Sequence, residues 1–141
     1  NDPAKGSELA KSQFDRGADV VYAAAGGTGA GVYQAAADSG KLAIGVDSNQ
    51  NYMHPGTMLT SMLKRVDLAT YETFMDVKSG NFTSGVKVLG LAEDGVGWAL
   101  DEHNESLITD VMKSTINGLS DKVKSGSLKV HDYMSDNNCP S

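Results

Sequence analysis

The sequence predicts an α/β fold with a parallel sheet and right-handed crossovers. Strand-like and helix-like runs alternate along the chain, and two strand–helix units follow one another. A turn dense in glycine separates the first strand from its helix, and an aspartate stands at the tip of the next strand. At 141 residues the chain fits one domain and is long enough to bury a real core.

Asn1-Asp2-Pro3 stands directly at a helix start: Asp2 is placed to cap it and Pro3 suits its first turn. The helix is expected over 3–16, with Leu9, Ala10, Gln13 and Phe14 near one stripe and Gly17 as its stop. A strand over 19–24 leads through the glycine turn to a helix over 29–39, with Val32, Ala35 and Ala36 inward and Gly40 at its end. Residues 42–46 read as a second strand, 47–56 as a loop rich in Asn, Gly and Pro, and 57–64 as a third strand. A helix over 66–78 carries Ala69, Phe74 and Val77. Residues 86–91 and 96–100 alternate like two short strands around the turn Glu93-Asp94-Gly95. The longest helix is expected over 106–123, with Leu107, Val111, Met112, Ile116 and Leu119 at helical spacing; Gly126 stops it and a polar tail follows.

Composition excludes several functions. The formal net charge is −6 and no basic run exceeds Lys64-Arg65, which argues against nucleic acid as a partner. No apolar stretch approaches the roughly 20 residues of a membrane span. Cys139 is alone, so an internal disulfide and a cysteine-based zinc site are both ruled out, and His54, His103 and His131 have no ligand spacing. No metal and no cofactor is expected.

The segment Val20-Val21-Tyr22-Ala23-Ala24-Ala25-Gly26-Gly27-Thr28-Gly29-Ala30-Gly31-Val32 reads as strand, turn and helix start. Its glycines let backbone N–H groups approach a ligand with no Cβ in the way. It is not a dinucleotide fingerprint: counted from Gly27 the third glycine falls on Val32, and counted from Gly29 it falls on Gln34. It is not a P-loop either, since no Gly-Lys-Ser/Thr follows. The plainer reading is a tight turn whose glycines serve only helix–strand packing. After the next strand stands Asp47, and a glycine turn followed by an acid on the neighbouring strand is how α/β proteins hold a nucleotide or a sugar. Catalytic constellations are thin. Asp47 with Lys64 reads formally as a base and an electrostatic stabiliser, while Glu93/Asp94 and Asp101/Glu102 read as solvated surface pairs.

Three motifs carry a resemblance: the run from Gly17 to Val32, then Ile44-Gly45-Val46-Asp47-Ser48-Asn49-Gln50, then Leu59-Thr60-Ser61-Met62-Leu63-Lys64-Arg65-Val66-Asp67. In order and spacing they resemble the basic membrane protein family, extracytoplasmic substrate-binding lipoproteins of ABC importers, several of which take purine nucleosides. The likeness covers about residues 1–100. It implies a type I periplasmic-binding-protein lobe, one of two Rossmann-like lobes that close on a ligand, with the chain corresponding to the C-terminal half. On that reading 1–63 form second-lobe units, 64–104 a hinge strand and elements returning toward the first lobe, and 105–141 a terminal helix and tail.

Carried over by position, the resemblance places Gly26 against the ligand, gives Asp47 the ribose hydroxyls as a buried acid, and brings Lys64 to the same sugar. The base-stacking residues of the other lobe have no counterpart here. The implied function is capture of a small solute, a purine nucleoside, and delivery to an ABC permease, with no catalysis. The implied location is periplasmic or extracytoplasmic, with lipid anchoring of the parent protein. An apolar face left by the absent lobe would favour self-association. The alternatives are a Rossmann-like enzyme or nucleotide-binding domain holding a cofactor ribose, and a ligand-sensing regulatory domain of the same fold.

Overall fold

A computed structural model describes residues 1–139 of the chain. They form two compact units, the first Asn1–Thr109 and the second beginning at Asp110. The first unit is built on a sheet of four strands in the order β1-β2-β3-β4: β1 (Val20–Tyr22), β2 (Leu42–Gly45), β3 (Met58–Lys64) and β4 (Val96–Trp98). The first three are parallel, with Val20 opposite Leu42 and Ile44 opposite Thr60. β4 runs antiparallel to β3, pairing Met62 with Trp98.

α1 (Pro3–Asp15) begins as its sequence requires: the Asp2 carboxylate accepts the Lys5 N–H at 3.0 Å and proline occupies the first turn. It ends at Gly17, whose φ of 96° only glycine adopts without strain, and the Ala18 N–H closes back on the Gln13 carbonyl. The buried residues of α1 are Gly6, Ala10 and Phe14, one per turn, while Leu9 is exposed. The stripe is therefore narrower than the sequence suggests. α1 packs on α2 (Gly29–Asp38), and that crossing is built from small residues. A Cβ on Gly6 would lie 2.5 Å from the Thr28 carbonyl oxygen, and one on Gly31 would run into the Pro3 carbonyl. A larger side chain there would force the α1 and α2 backbones apart.

The core beneath this crossing joins Ala10 and Phe14 to Ala23, Val32, Tyr33, Ala35, Ala36, Ala43 and Met58. The inward set expected of α2 is thus in place. Burial of side chains the size of Phe14 and Met58 stabilises such a core by about 1.5–3 kcal/mol each.

Two expectations are corrected. Residues 86–91 form no strand: Val86 is 96% exposed, and the segment closes into a loop in which Gly95 N–H donates to the Gly90 carbonyl and Glu93 accepts the Gly90 N–H. Leu89 packs so closely on Gly95 that no side chain fits there. β4 is left to pair with β3 rather than with its sequence neighbour. The helix expected from residue 106 begins at Asp110. Glu105–Leu107 make a single 3-10 turn, after which the extended Ile108 is buried at the close of the first unit.

α3 (Val66–Ser79) ends at Gly80, with φ 76°, and none of its residues is buried. In the second unit, α4 (Asp110–Lys124) carries Asp110 in its first turn and Lys122 and Lys124 in its last, which suits the helix dipole. α5 (Tyr133–Asp136) is capped by Asp132 on the Met134 N–H. The last two positions of the expected tail, 140 and 141, lie outside the described residues. No helix of the described residues is long and apolar enough to cross a membrane.

Candidate functional site

Because β1, β2 and β3 are parallel, the glycine turn, Asp47 and Lys64 all stand at the carboxyl edge of the sheet. Open α/β sheets bind their ligands along that edge. The glycine turn is a short 3-10 turn, Gly26–Thr28, entered by Gly26 with φ 53°. The Thr28 hydroxyl accepts the Asp2 N–H at 2.8 Å, tying the turn to the start of α1. Gly26 is exposed at the sheet edge, while Gly29 and Gly31 are packed within the fold, where their lack of a side chain serves packing.

Asp47 follows β2 with φ 73°, a left-handed conformation that Asp and Asn tolerate better than most residues. Lys64 ends β3, and its Nζ lies 2.7 Å from Asp47 Oδ1. A second tie joins the same two residues, since the Lys64 N–H donates to the Asp47 carbonyl at 2.8 Å. The hydrogen bond to Asp47, more than the bare charge attraction, raises the Lys64 ammonium above its usual range. Asp47 is not the buried acid the sequence suggests. Its side chain is 52% exposed and that of Lys64 58%, because both project from the sheet edge into an open cleft. That cleft holds about 490 Å³ and is lined by Asp47, Ser48, Asn49, Leu63, Lys64, Arg65, Val66 and Asp67. Its size suits a small organic solute. The structure brings Asp47 and Lys64 together, whereas Gly26 shares their edge without lining this cleft.

The turn carrying Asp47 is held by a buried polar network. Gln50 Oε1 accepts both the Tyr33 hydroxyl, at 2.8 Å, and the Val46 N–H, at 2.9 Å. The Gln50 N–H donates to Ser61 Oγ, which donates in turn to Asn51 Oδ1 at 2.8 Å. Gly45 makes room for this: a Cβ there would lie 2.7 Å from Ser61 Oγ and 2.8 Å from Gln50 Oε1. No buried side-chain nitrogen or oxygen among the described residues lacks a partner. Burial holds the Tyr33 phenol above its ordinary value.

The sequence alone does not mark Gln50, Asn51 and Ser61 as site residues. The signal was present, because Asp47-Ser48-Asn49-Gln50-Asn51 puts five polar residues directly after an apolar strand. Asp101 corrects the reading of solvated acid pairs. It accepts from Asn49 and Asn51, whereas Glu102 beside it is exposed.

A parallel α/β lobe with a glycine turn, an acid and a lysine along its carboxyl edge, and a half-open cleft beside them, has the architecture of a solute-binding lobe. In keeping with this, an ABC transporter system solute-binding protein from Aeropyrum pernix K1 superposes with a TM-score of 0.79 at 27% identity, covering 93% of this chain and 45% of that one. The chain belongs to the Bmp family, the PnrA-like ABC transporter substrate-binding proteins, whose family model matches residues 1–132. The CD4+ T-cell-stimulating antigen of Listeria monocytogenes is 34% identical over 143 residues, covering 89% of this chain and 39% of that protein. Basic membrane protein D of Borreliella burgdorferi is 33% identical over 138 residues, covering 94% of this chain and 40% of that protein. The chain thus spans about two fifths of the length of these relatives.

Proposed function

We propose that this chain forms one lobe of an extracytoplasmic solute-binding protein of an ABC importer, and that the solute is a purine nucleoside. In this reading Asp47 and Lys64 hold the ribose, and Gly26, outside that cleft on the same sheet edge, lies against another part of the ligand. The observation that carries it is the Lys64–Asp47 pair, joined at 2.7 Å on the wall of an open cleft at the carboxyl edge of the sheet. A carboxylate fixed by a lysine has lone pairs left for vicinal hydroxyls, and hydrogen bonds to a charged group are among the stronger ones. The cleft is open on one side. A second lobe closing over it would bury the solute as small-molecule sites require.

Further parts of the proposal follow from family membership. The protein hands its solute to a membrane permease, is held outside the cytoplasm by a lipid, and performs no chemistry on what it binds. Residues 1–63 supply the ligand edge, 64–104 lead toward the other lobe, and 105–141 form the terminal helix and tail.

Titration calorimetry tests the solute class on a protein of the relatives' length that carries this chain. Adenosine, guanosine and inosine are expected to bind and the free bases to bind far more weakly. Preference for a metabolite with no sugar would overturn the assignment.

A further inference from the structure

Asp101 lies in the segment that follows β4, remote in sequence from the Asp47 turn, and that segment is fastened to β3. The Ala99 N–H donates to the Ser61 carbonyl at 2.9 Å, and the Thr60 hydroxyl to the Ala99 carbonyl at 2.7 Å. Asn104, fully buried, reaches the Leu59 and Ala99 carbonyls with its amide and accepts the Asp101 N–H at 2.8 Å. Asp101 is therefore a carboxylate on a fixed base.

From that base it holds the opposite loop. Oδ2 accepts Asn49 Nδ2 at 2.6 Å and Asn51 Nδ2 at 3.1 Å, while Oδ1 accepts the His103 N–H at 2.8 Å. Asn49 and Asn51 are themselves joined, Asn51 N–H to Asn49 Oδ1 at 3.0 Å. Residues 47–50 have no regular secondary structure, so these side chains replace the ladder that would otherwise hold them. Asp101, Glu102 and His103 offer donor atoms within 4.8 Å of one another, but both Asp101 oxygens are already committed to the loop and its own turn.

We infer that Asp101 is a positioning residue for the solute site: by gripping Asn49 and Asn51 it fixes the turn that presents Asp47 to Lys64. The inference rests on the proposed role of Asp47 for its effect on binding, though not for its effect on the loop. Only a carboxylate meets the demand. An asparagine has one acceptor oxygen, so it satisfies either the two loop amides or the His103 N–H, never both sides.

The first test is amide hydrogen exchange on the 141-residue chain. Asp101→Asn, and Asn49→Ala as a milder variant that leaves the β3 fastening untouched, are expected to speed exchange at Gln50, Asn51 and Lys64 about tenfold or more. Amides of α1 and α2 are expected to keep their rates. Unchanged loop exchange in both variants, or an equal rise throughout α1 and α2, overturns the inference.

The second test is a double-mutant cycle on adenosine affinity in the longer protein. If Asp101 acts through Asp47, Asp101→Asn weakens binding about tenfold alone and hardly at all once Asp47→Asn is present. Strict additivity overturns the inference. Should Asp47→Asn itself leave affinity unchanged, the ribose assignment fails, and the exchange result still decides the loop.

Discussion

Lys64 and Asp47 are joined twice, by Nζ to Oδ1 at 2.7 Å and by the lysine N–H to the aspartate carbonyl at 2.8 Å. The backbone bond survives any change of side chain, so the ion pair can be altered without releasing the turn. The choice of substitution still matters. Asp47 sits at φ 73°, where alanine would add backbone strain of about 1–2 kcal/mol to the loss of the charge. Asp47→Asn keeps the left-handed conformation and removes the charge alone. In a protein of the relatives' length, Asp47→Asn and Lys64→Met are each expected to weaken nucleoside binding about 10- to 100-fold, with circular dichroism unchanged. 2′-Deoxynucleosides are expected to lose less than ribonucleosides in the Asp47 variant. Equal losses for both would mean that Asp47 does not touch the 2′ hydroxyl.

The site geometry is expected to be insensitive to pH across the neutral range. Hydrogen bonding from Asn49, the largest influence, holds the Asp101 carboxyl below its ordinary value. Its contribution is therefore complete above the unfolded value and is lost as pH falls through the folded one, below about pH 4. Lys64 is raised, so its contribution is complete below the unfolded value and lost as pH rises through the folded one, above about pH 10. Exchange protection at Lys64 and Asn51, corrected for intrinsic rates, should be flat from about pH 5 to about pH 9. A transition near neutrality would mean that these groups do not govern the loop.

The sequence was legible where one local signal sufficed. Asp2, Pro3 and Gly17 bracket α1, and the two successive strand–helix units point to the parallel pairing found among β1, β2 and β3. It misled where a partner distant in the chain decided the outcome. Residues 86–91 alternate like a strand, yet β3 takes β4 as its partner and leaves them in a loop. Asp101 looks like a surface acid beside Glu102, and its role appears only when Asn49 and Asn51 are brought to it from 52 and 50 residues away in the chain. Asp47 was rightly placed at a strand tip. Its exposure depends on the shape of the cleft, which no local pattern encodes.

Two glycines in helices should respond oppositely to alanine. In α2, Gly31→Ala drives a Cβ into the Pro3 carbonyl, a backbone atom that a rotamer change does not relieve. Overpacking of this kind costs about 1–3 kcal/mol. In α4, Gly118 has nothing within 4 Å of the Cβ position, and Gly118→Ala should gain up to about 1 kcal/mol of helix propensity. Urea denaturation followed by fluorescence and far-ultraviolet circular dichroism reads both. Equal responses would show that the α1–α2 crossing is looser than its geometry.

The 141-residue chain, studied alone, is expected to self-associate through α3. A helix in a soluble domain ordinarily buries one face, yet no residue of α3 is buried. Tyr71 is 63% exposed and Phe74 70%, and Val66, Met75 and Val77 are exposed with them. Apolar surface gathered on one element, rather than scattered singly, marks a contact surface. Covering it removes apolar area from water at about 25 cal/mol per Å², so even a modest contact between copies is favourable at high concentration. Sedimentation velocity between about 5 and 500 µM should show the mean mass rising with concentration, a range that brackets weak association. Phe74→Glu combined with Tyr71→Lys should return the chain to a monomer while leaving the α1–α2 core, and hence the cooperative unfolding signal, unchanged. Supplying the remainder of a relative-length protein should abolish the association as well, if that remainder covers the same face. A strictly monomeric native chain would mean that α3 tolerates its exposure, and the double variant would then have no effect on mass at any concentration.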